Sequence, residues 1–312
     1  MEKYVILADV TCDLSKELRD FCGMEDYLKG HVHISSGGEE RELLTELDWT
    51  EISREEFYKL LGNKHAKVST APPNLDEYRE AFERYAKDGY KIISMSISSK
   101  ISSTYDFAKT AAARAKETYP DAEIYCFDSL RMSGAFALLT FYAHLLKKEG
   151  KSYAEVIEWL EENKSRVHQM GPIDDLMVIA RRGRLTMGKA IMGSFAGVKP
   201  MGDCNEDGYV TVLTKAKGIR KALELTVEYV SETAVDPENC YAIVSHTDRE
   251  QYAEALKNLL IEKMNFKDVF VTCSFSANGT NIGPGMIGVY YFGNAITDLS
   301  AEKATMAKIT GK

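Results

Sequence analysis

The sequence predicts an α/β protein made of two α/β domains, and three observations lead there. Apolar runs of strand length alternate with amphipathic segments of helical length through most of the chain. The 312 residues exceed what one hydrophobic core usually organises. Near residue 168 the composition changes, and small and flexible residues accumulate in RRGRLTMGKAIMGSFAGVKPMGDCNEDGYV. A boundary is therefore expected there, with a mostly parallel sheet in residues 1–168 and a mixed sheet in residues 169–312.

The elements follow in order. Tyr4 to Ala8 is the first strand, and Leu14 to Cys22 is a helix that Gly23 closes. Leu75 to Lys87 has helical spacing and stops at the Asp88-Gly89 break, delivering the chain to the strand Lys91 to Ile97. The alanine-rich helix Tyr105 to Thr118 leads through Pro120 to the strand Glu123 to Phe127. Next come a strongly apolar helix, Phe136 to Lys148, ended by Gly150, and the helix Tyr153 to Arg166. Past the boundary, Gly188 to Gly197 is a small-residue helix whose Ile191, Met192 and Phe195 suit an apolar slot. Asn205 to Gly208 is a turn joining two strands as a hairpin. Cys240 to Ser245, Asp268 to Ser274 and Met286 to Phe292 are strands, with the helix Gln251 to Lys263 between the first two.

Composition removes several classes of function. Hydrophobic residues make up 45% and charged residues 28%, enough apolar material for packed cores and too much for a disordered chain. Lys and Arg number 39 against 47 Asp and Glu, a formal charge of −8, opposite to the basic footprint that nucleic acid selects. No run approaches the roughly 18 consecutive apolar residues of a spanning helix, so stable membrane insertion is not expected. The opening MEKYVILADVTCD has too short an apolar run for a signal peptide, and the six cysteines contain no C-x-x-C pair. A reducing cytoplasm is the expected location.

The common chemical motifs are weak or missing. Gly283-Pro-Gly-Met-Ile-Gly288 formally matches G-x-G-x-x-G, yet a strand follows where a helix should open, so the match reads as a glycine turn that lets backbone approach something closely. The histidines offer no H-E-x-x-H; His31 and His33 share one face of a strand, as an exposed edge would explain. With no G-x-S-x-G and no phosphate loop either, neither metal nor cofactor is expected.

Hydroxyls, by contrast, gather where strands end. Ser69 and Thr70 precede Pro72 and Pro73, and SSKISST (residues 98–104) lies between a strand and a helix. The crevice beyond the carboxyl ends of strands is where α/β sheets bind ligands, and the N-terminus of a following helix favours an anion there. Helix capping accounts for one or two of these hydroxyls. Asp128-Ser129 ends a strand and reads as a cap for the next helix, a structural role. Arg181, Arg182 and Arg184 form a short basic cluster for which a solvated surface, with Asp174 or Asp175 as ion-pair partner, is the ordinary account.

The ordered segments ADVTCD, STAPPNLDEY, ISSKISSTYDFA, FDS, ARRGRL, GVKP, DG and IGPGMIG resemble the DegV family of bacterial fatty-acid-binding proteins from the first strand to residue 293. The resemblance implies two α/β domains clasping one long-chain fatty acid, its chain in a tunnel and its carboxyl group at the domain interface, with presentation to a fatty-acid kinase in some members. It implies that Thr70, aligned with the Thr of T-S-Q-P, and Ser102, aligned with the Ser of S-S-x-L-S-G-T, bind the carboxyl group. Arg184, aligned with the Arg of G-G-R-I-S, and Lys217, in TKAKG, are assigned to presentation or gating at a wet rim, where a basic group carries little burial cost. Three departures touch the site: Ala71 and Pro72 replace Ser and Gln, Ser103 replaces Gly, and Asn281 stands where many members have His. Ser103, Asn281 and Gly283 complete the expected ligand-binding set. The competing expectation is an acyl hydrolase or acyltransferase with Ser102 as nucleophile, which needs a base that no histidine is obviously placed to supply.

Overall fold

The computed structural model describes residues 2–185 and 197–311. The buried strand β1 (Tyr4–Asp9) ends in a 3₁₀ turn, and α1 (Lys16–Cys22) runs from its Ser15 cap to left-handed Gly23. After β2 (Tyr27–Leu28), the hairpin β3 (His31–Ser36) and β4 (Glu39–Leu44), α2 (Arg54–Gly62) and β5 (Lys67–Ala71) form a unit with its own three-stranded antiparallel sheet, ordered β4-β3-β5. The chain then returns to the first layer. α3 (Leu75–Lys87), started by an Asn74–Glu77 capping box, leads to β6 (Lys91–Ser96), and α4 (Thr104–Thr118) leads to β7 (Ile124–Asp128). The resulting sheet, β2-β1-β6-β7, is parallel throughout.

α5 (Ser133–Lys148) and α6 (Tyr153–Asn163) precede β8 (Val167–Met170), which pairs only in the second main sheet. α7 (Leu176–Arg181) follows, then the hairpin of β9 (Lys199–Cys204) and β10 (Val210–Ala216), and α8 (Ile219–Thr233). β11 (Tyr241–His246), α9 (Glu250–Lys263), β12 (Asp268–Cys273), α10 (Ser276–Ile282), β13 (Ile287–Phe292) and α11 (Ser300–Thr310) complete the described chain. The second sheet, β12-β11-β13-β8, is mixed: β11 and β12 are parallel, and β13 is antiparallel to both of its neighbours. The mixed α/β class expected from the sequence is the class observed.

α5 explains how the halves are joined. It is buried on nearly every face, and Phe136 and Phe141 share one core with Ile6 and Ile93 of the first sheet and Ile243, Phe270 and Phe292 of the second. Gly134 permits the contact, because a Cβ there would fall 2.2 Å from the Tyr290 ring. Such a helix, apolar all round, belongs in an interior.

Several expectations change. The sequence pattern carries no signal for the small antiparallel sheet, which makes β3 a central strand, so His31 and His33 lie on a sheet face and not on an edge. There His31 meets Glu77 at 3.0 Å and Glu42 at 3.1 Å. The helix expected to reach Arg166 stops at Asn163, whose side-chain amide donates to the Trp159 carbonyl at 2.8 Å and whose oxygen accepts from Arg166 at 2.9 Å; a 3₁₀ turn follows. The small-residue helix Gly188 to Gly197, with Ile191, Met192 and Phe195, lies outside the described residues except for its final glycine. Among the described residues, no helix is long and apolar enough to cross a membrane.

Candidate functional site

The carboxyl ends of β1 and β6, the end of β5, the start of α5, and α10 with the start of β13 enclose one cavity of about 270 Å³. Its wall is apolar over most of its extent, with Ile97, Ile101, Met132, Ile173, Ile179 and Met286 among the lining side chains. Polar groups enter from both halves: Asp9, Thr11, Thr70, Ser102 and Ser133 from one, Gln169, Arg184, Asn278 and Asn281 from the other.

Five residues singled out from the sequence meet in this wall: Thr70, Ser102, Ser103, Arg184 and Asn281. Thr70 sits one residue before the end of β5, and its Oγ1 accepts a hydrogen bond from Asn281 Nδ2 at 3.1 Å. Asn281 Nδ2 also donates to the Ala277 carbonyl one turn back, which fixes the amide over the hydroxyl. Ser102 Oγ lies 2.6 Å from Thr104 Oγ1 and accepts from the Thr104 N–H at 3.3 Å, so part of its capacity serves the entry of α4. Ser103 caps α4 through its backbone alone and is exposed. Asp128 holds this loop from below, accepting from the Ser99 N–H at 3.1 Å and the Leu130 N–H at 3.2 Å. Its role is structural as expected, but it anchors the loop and does not cap α5, whose N-cap is Met132.

Gly283 and Lys217 stand apart from the cavity. Gly283 ends α10 with a φ of 78°, and a Cβ there would press on Val178 at 3.2 Å, so it serves the turn and close packing on α7. Lys217 is exposed beyond the end of β10.

The charges in the wall are unequal. Asp9 is buried; its Oδ1 accepts from the Thr11 N–H at 2.8 Å and from the Thr11 hydroxyl, and its Oδ2 from the Ile97 N–H at 2.9 Å. Burial raises its pKa despite those donors. Arg184 is half-buried in the wall, not on a wet rim, and its pKa is lowered by burial and then by Arg182. It donates to the Arg182 carbonyl and pairs with no carboxylate among the described residues. The ordinary partners are engaged elsewhere: Asp174 takes Lys199 at 2.6 Å and Arg249 at 2.9 Å, and Asp175 caps α7 through the Met177 N–H. Arg182 instead reaches the Val68 carbonyl at 2.6 Å, tying α7 to β5.

No histidine lines the cavity among the described residues. Asp9, Thr11, Ser133, Gln169 and Asn278 were not assigned to the site from the sequence. Asp9 had a usable signal, an acid at the carboxyl end of a parallel strand, the same placement that drew attention to SSKISST. Gln169 and Asn278 had none, since nothing local marks a side chain that meets another half of the chain.

Two α/β halves closing on one apolar cavity with a hydroxyl- and amide-bearing wall define a small-ligand-binding architecture. The family model described as "Uncharacterised protein, DegV family" matches residues 3–294, and the chain belongs to the DegV family. It is 30% identical over 294 residues to the DegV domain-containing protein CPE0026 of Clostridium perfringens, covering 94% of this chain and 99% of the relative. Among solved structures, a fatty-acid-binding DegV family protein from Thermus thermophilus is similar with a TM-score of 0.80 at 22% identity, over 93% of this chain and 99% of that one. A DegV family protein from Eubacterium eligens, loaded with heptadecanoic acid, gives a TM-score of 0.78 at 20% identity with the same coverage.

Proposed function

We propose that this protein is a carrier that buries the acyl chain of one long-chain fatty acid in the cavity, holds the carboxyl group on the Thr70 and Ser102 hydroxyls, and presents it to a fatty-acid kinase without a catalytic step of its own. The observation that carries the reading is the convergence of Thr70, from β5, and Ser102, from the loop after β6, on one largely apolar cavity. Fatty acids bound by structurally similar DegV proteins support it. About 14 methylenes buried at about 0.8 kcal/mol each give on the order of 11 kcal/mol before ordering costs. The chain supplies affinity, and the head group must be hydrogen-bonded because an unpaired one would cost several kcal/mol. Asn281 supports Thr70 as an amide, with no ionisable proton of its own. Presentation falls to Arg184 from inside the wall and to Lys217 from the exposed surface beyond the end of β10.

Native mass spectrometry of gently purified protein tests the reading: a bound species of fatty-acid mass is expected, and an empty protein that turns over acyl esters would transfer the role to a Ser102 nucleophile. Thr70→Ala with Ser102→Ala should weaken binding by about 1–3 kcal/mol in a folded protein, two hydrogen bonds' worth. Arg184→Ala should keep the lipid and lose phosphorylation when a cognate kinase and ATP are supplied. An Arg184→Ala protein that is folded yet empty would make Arg184 a direct head-group ligand.

A further inference from the structure

Behind the cavity wall lies a buried carboxylate that plays no part in the proposed carrier role. Asp13 follows the 3₁₀ turn after β1 and has no solvent exposure. Donors converge on it from several elements: the Ser133 hydroxyl at 2.8 Å and Asn278 Nδ2 at 2.7 Å on Oδ2, the Phe275 N–H at 3.0 Å on Oδ1, and the Ser274 hydroxyl, which also acts on the carboxylate. Its own carbonyl accepts from Thr272 Oγ1 at 2.6 Å. Asn278 Nδ2 also reaches the Thr11 carbonyl at 2.7 Å. Ser133, Asn278 and Thr11 all line the cavity; Asp13 does not.

We propose that Asp13 is the positioning residue of this site: its ionised carboxylate draws Ser133 and Asn278 into register from opposite sides and so fixes the wall that receives the ligand's head group. The proposal rests on the fatty-acid reading for the identity of the ligand. Two further features support the role. Asp13 and Ser133 both hold left-handed backbone, with φ of 49° and 47°, a strain that persists in non-glycine residues only where surrounding contacts over-determine it. And α10, which carries Asn278 and Asn281, has no side-chain cap of its own; Asp13 takes the N–H at its entry from a distant part of the chain.

The carboxylate acts as an acceptor only while ionised. Protonation turns one oxygen into a donor that opposes Ser133, Asn278 or Phe275. Burial pushes Asp13 up to about 7 against the pull of these hydrogen bonds, so the change falls near neutrality. The titratable groups facing it are Cys12 beside it, Cys273 on β12, Tyr58 on α2 and Tyr290 on β13. All four are raised by burial, which keeps them neutral between pH 6 and pH 8.5. Asp9 lies one turn away, and Arg19 and Arg54 are the cations acting on Cys12 and Cys273.

The test titrates wild type and Asp13→Asn with a fluorescent long-chain fatty acid at pH 8.5 and pH 6. Wild type should bind about fivefold more weakly at pH 6, a coupling of ordinary size. Asp13→Asn should bind weakly at both and show little pH dependence; equal slopes in the two proteins overturn the proposal. Should Asp13→Asn fail to fold, carbon-13 NMR of the Asp13 carboxyl in wild type decides. By reciprocity its pKa must fall on saturation with the fatty acid, and an unchanged value overturns the proposal. Folded wild type that binds no fatty acid at either pH removes the fatty-acid reading instead, a result separable from equal slopes.

Discussion

Asp13 and Asp203 are both fully buried, and each gathers backbone and side-chain donors from distant parts of the chain, but their charges are handled differently. Asp203, on β9, accepts from the Gln169 and Cys204 N–H groups at 2.9 and 2.7 Å and faces His168 Nδ1 at 2.8 Å. His168 Nε2 points at the Asn294 carbonyl, also at 2.8 Å. With acceptors on both ring nitrogens, only the imidazolium satisfies both, and the pair is a neutralised cation and anion. Burial works against the charged ring, but Asp203 and the Asn294 carbonyl outweigh it and His168 is raised overall. Among the described residues, Asp13 has only neutral donors. The neutralised pair lies off the cavity and braces β8 against β9. The uncompensated charge lies behind the ligand wall, the place where a change of protonation has something to act on.

The largest test of this contrast is to break the pair. Asp203→Ala leaves a buried imidazole facing no anion, and removing one partner of a buried ion pair typically costs ~3–5 kcal/mol. Urea denaturation should show that loss; a change under ~1 kcal/mol would mean that His168 is neutral in the fold and that the two buried aspartates are alike after all.

The two groups also act in different pH windows. His168 is raised above its unfolded value, so its contribution to stability is complete below pH ~6.5 and lost as pH rises through its folded pKa. Asp13 is raised to about 7 by burial, so between pH ~4 and about 7 the folded protein keeps a proton that the unfolded chain has released, and stability declines across that window before levelling. His144 and His246, lowered by burial to about 3 and about 4, give the opposite slope in acid, but they are common to wild type and variant and cancel in a difference. The stability gap between wild type and Asp13→Asn should therefore shrink by ~2–3 kcal/mol from pH 5 to pH 7.5. The gap for His168→Gln should hold up to pH ~6.5 and shrink only above it. Overlapping curves for the two variants would break the distinction.

Much of this fold was legible in the sequence, and the gaps have physical causes. The bounds of α3 and the positions of β1, β6, β7, α9 and β11 to β13 follow from apolar runs and Gly or Asp-Gly stops that act locally. The β3–β5 unit was not seen as a sheet because β4, EERELL, is almost wholly exposed and lacks the alternation that marks a half-buried strand. α10, SANGTNI, is made of poor helix formers, and its start is satisfied from Asp13. Ordered motifs point to Thr70, Ser102, Ser103 and Asn281, which line the cavity; Arg184 lines it too, although its motif placed it at a wet rim. The Asp13 and Asp203 networks join residues too far apart in sequence for any spacing rule to register.

The smallest expected effect marks where the Asp13 network stops mattering for the ligand. Ser133 Oγ also contacts Ser274 Oγ at 3.0 Å, and Ser274 Oγ contacts Ser245 Oγ at 3.2 Å. Ser245, on β11, is buried, lines no part of the cavity and does not touch Asp13. In Ser245→Ala, Ser274 keeps Ser133, and the Ser274 carbonyl keeps the Tyr58 hydroxyl at 2.6 Å, so the inner contacts survive. The variant should lose about 0.5–1.5 kcal/mol of stability, one hydrogen bond's worth. Its fatty-acid affinity should stay within about twofold of wild type, because the donors on the carboxylate itself are intact. An affinity loss comparable to that of Asp13→Asn would show that the wall is set by the whole hydroxyl chain as a unit, and Asp13 would then be one member of it, with no privileged position.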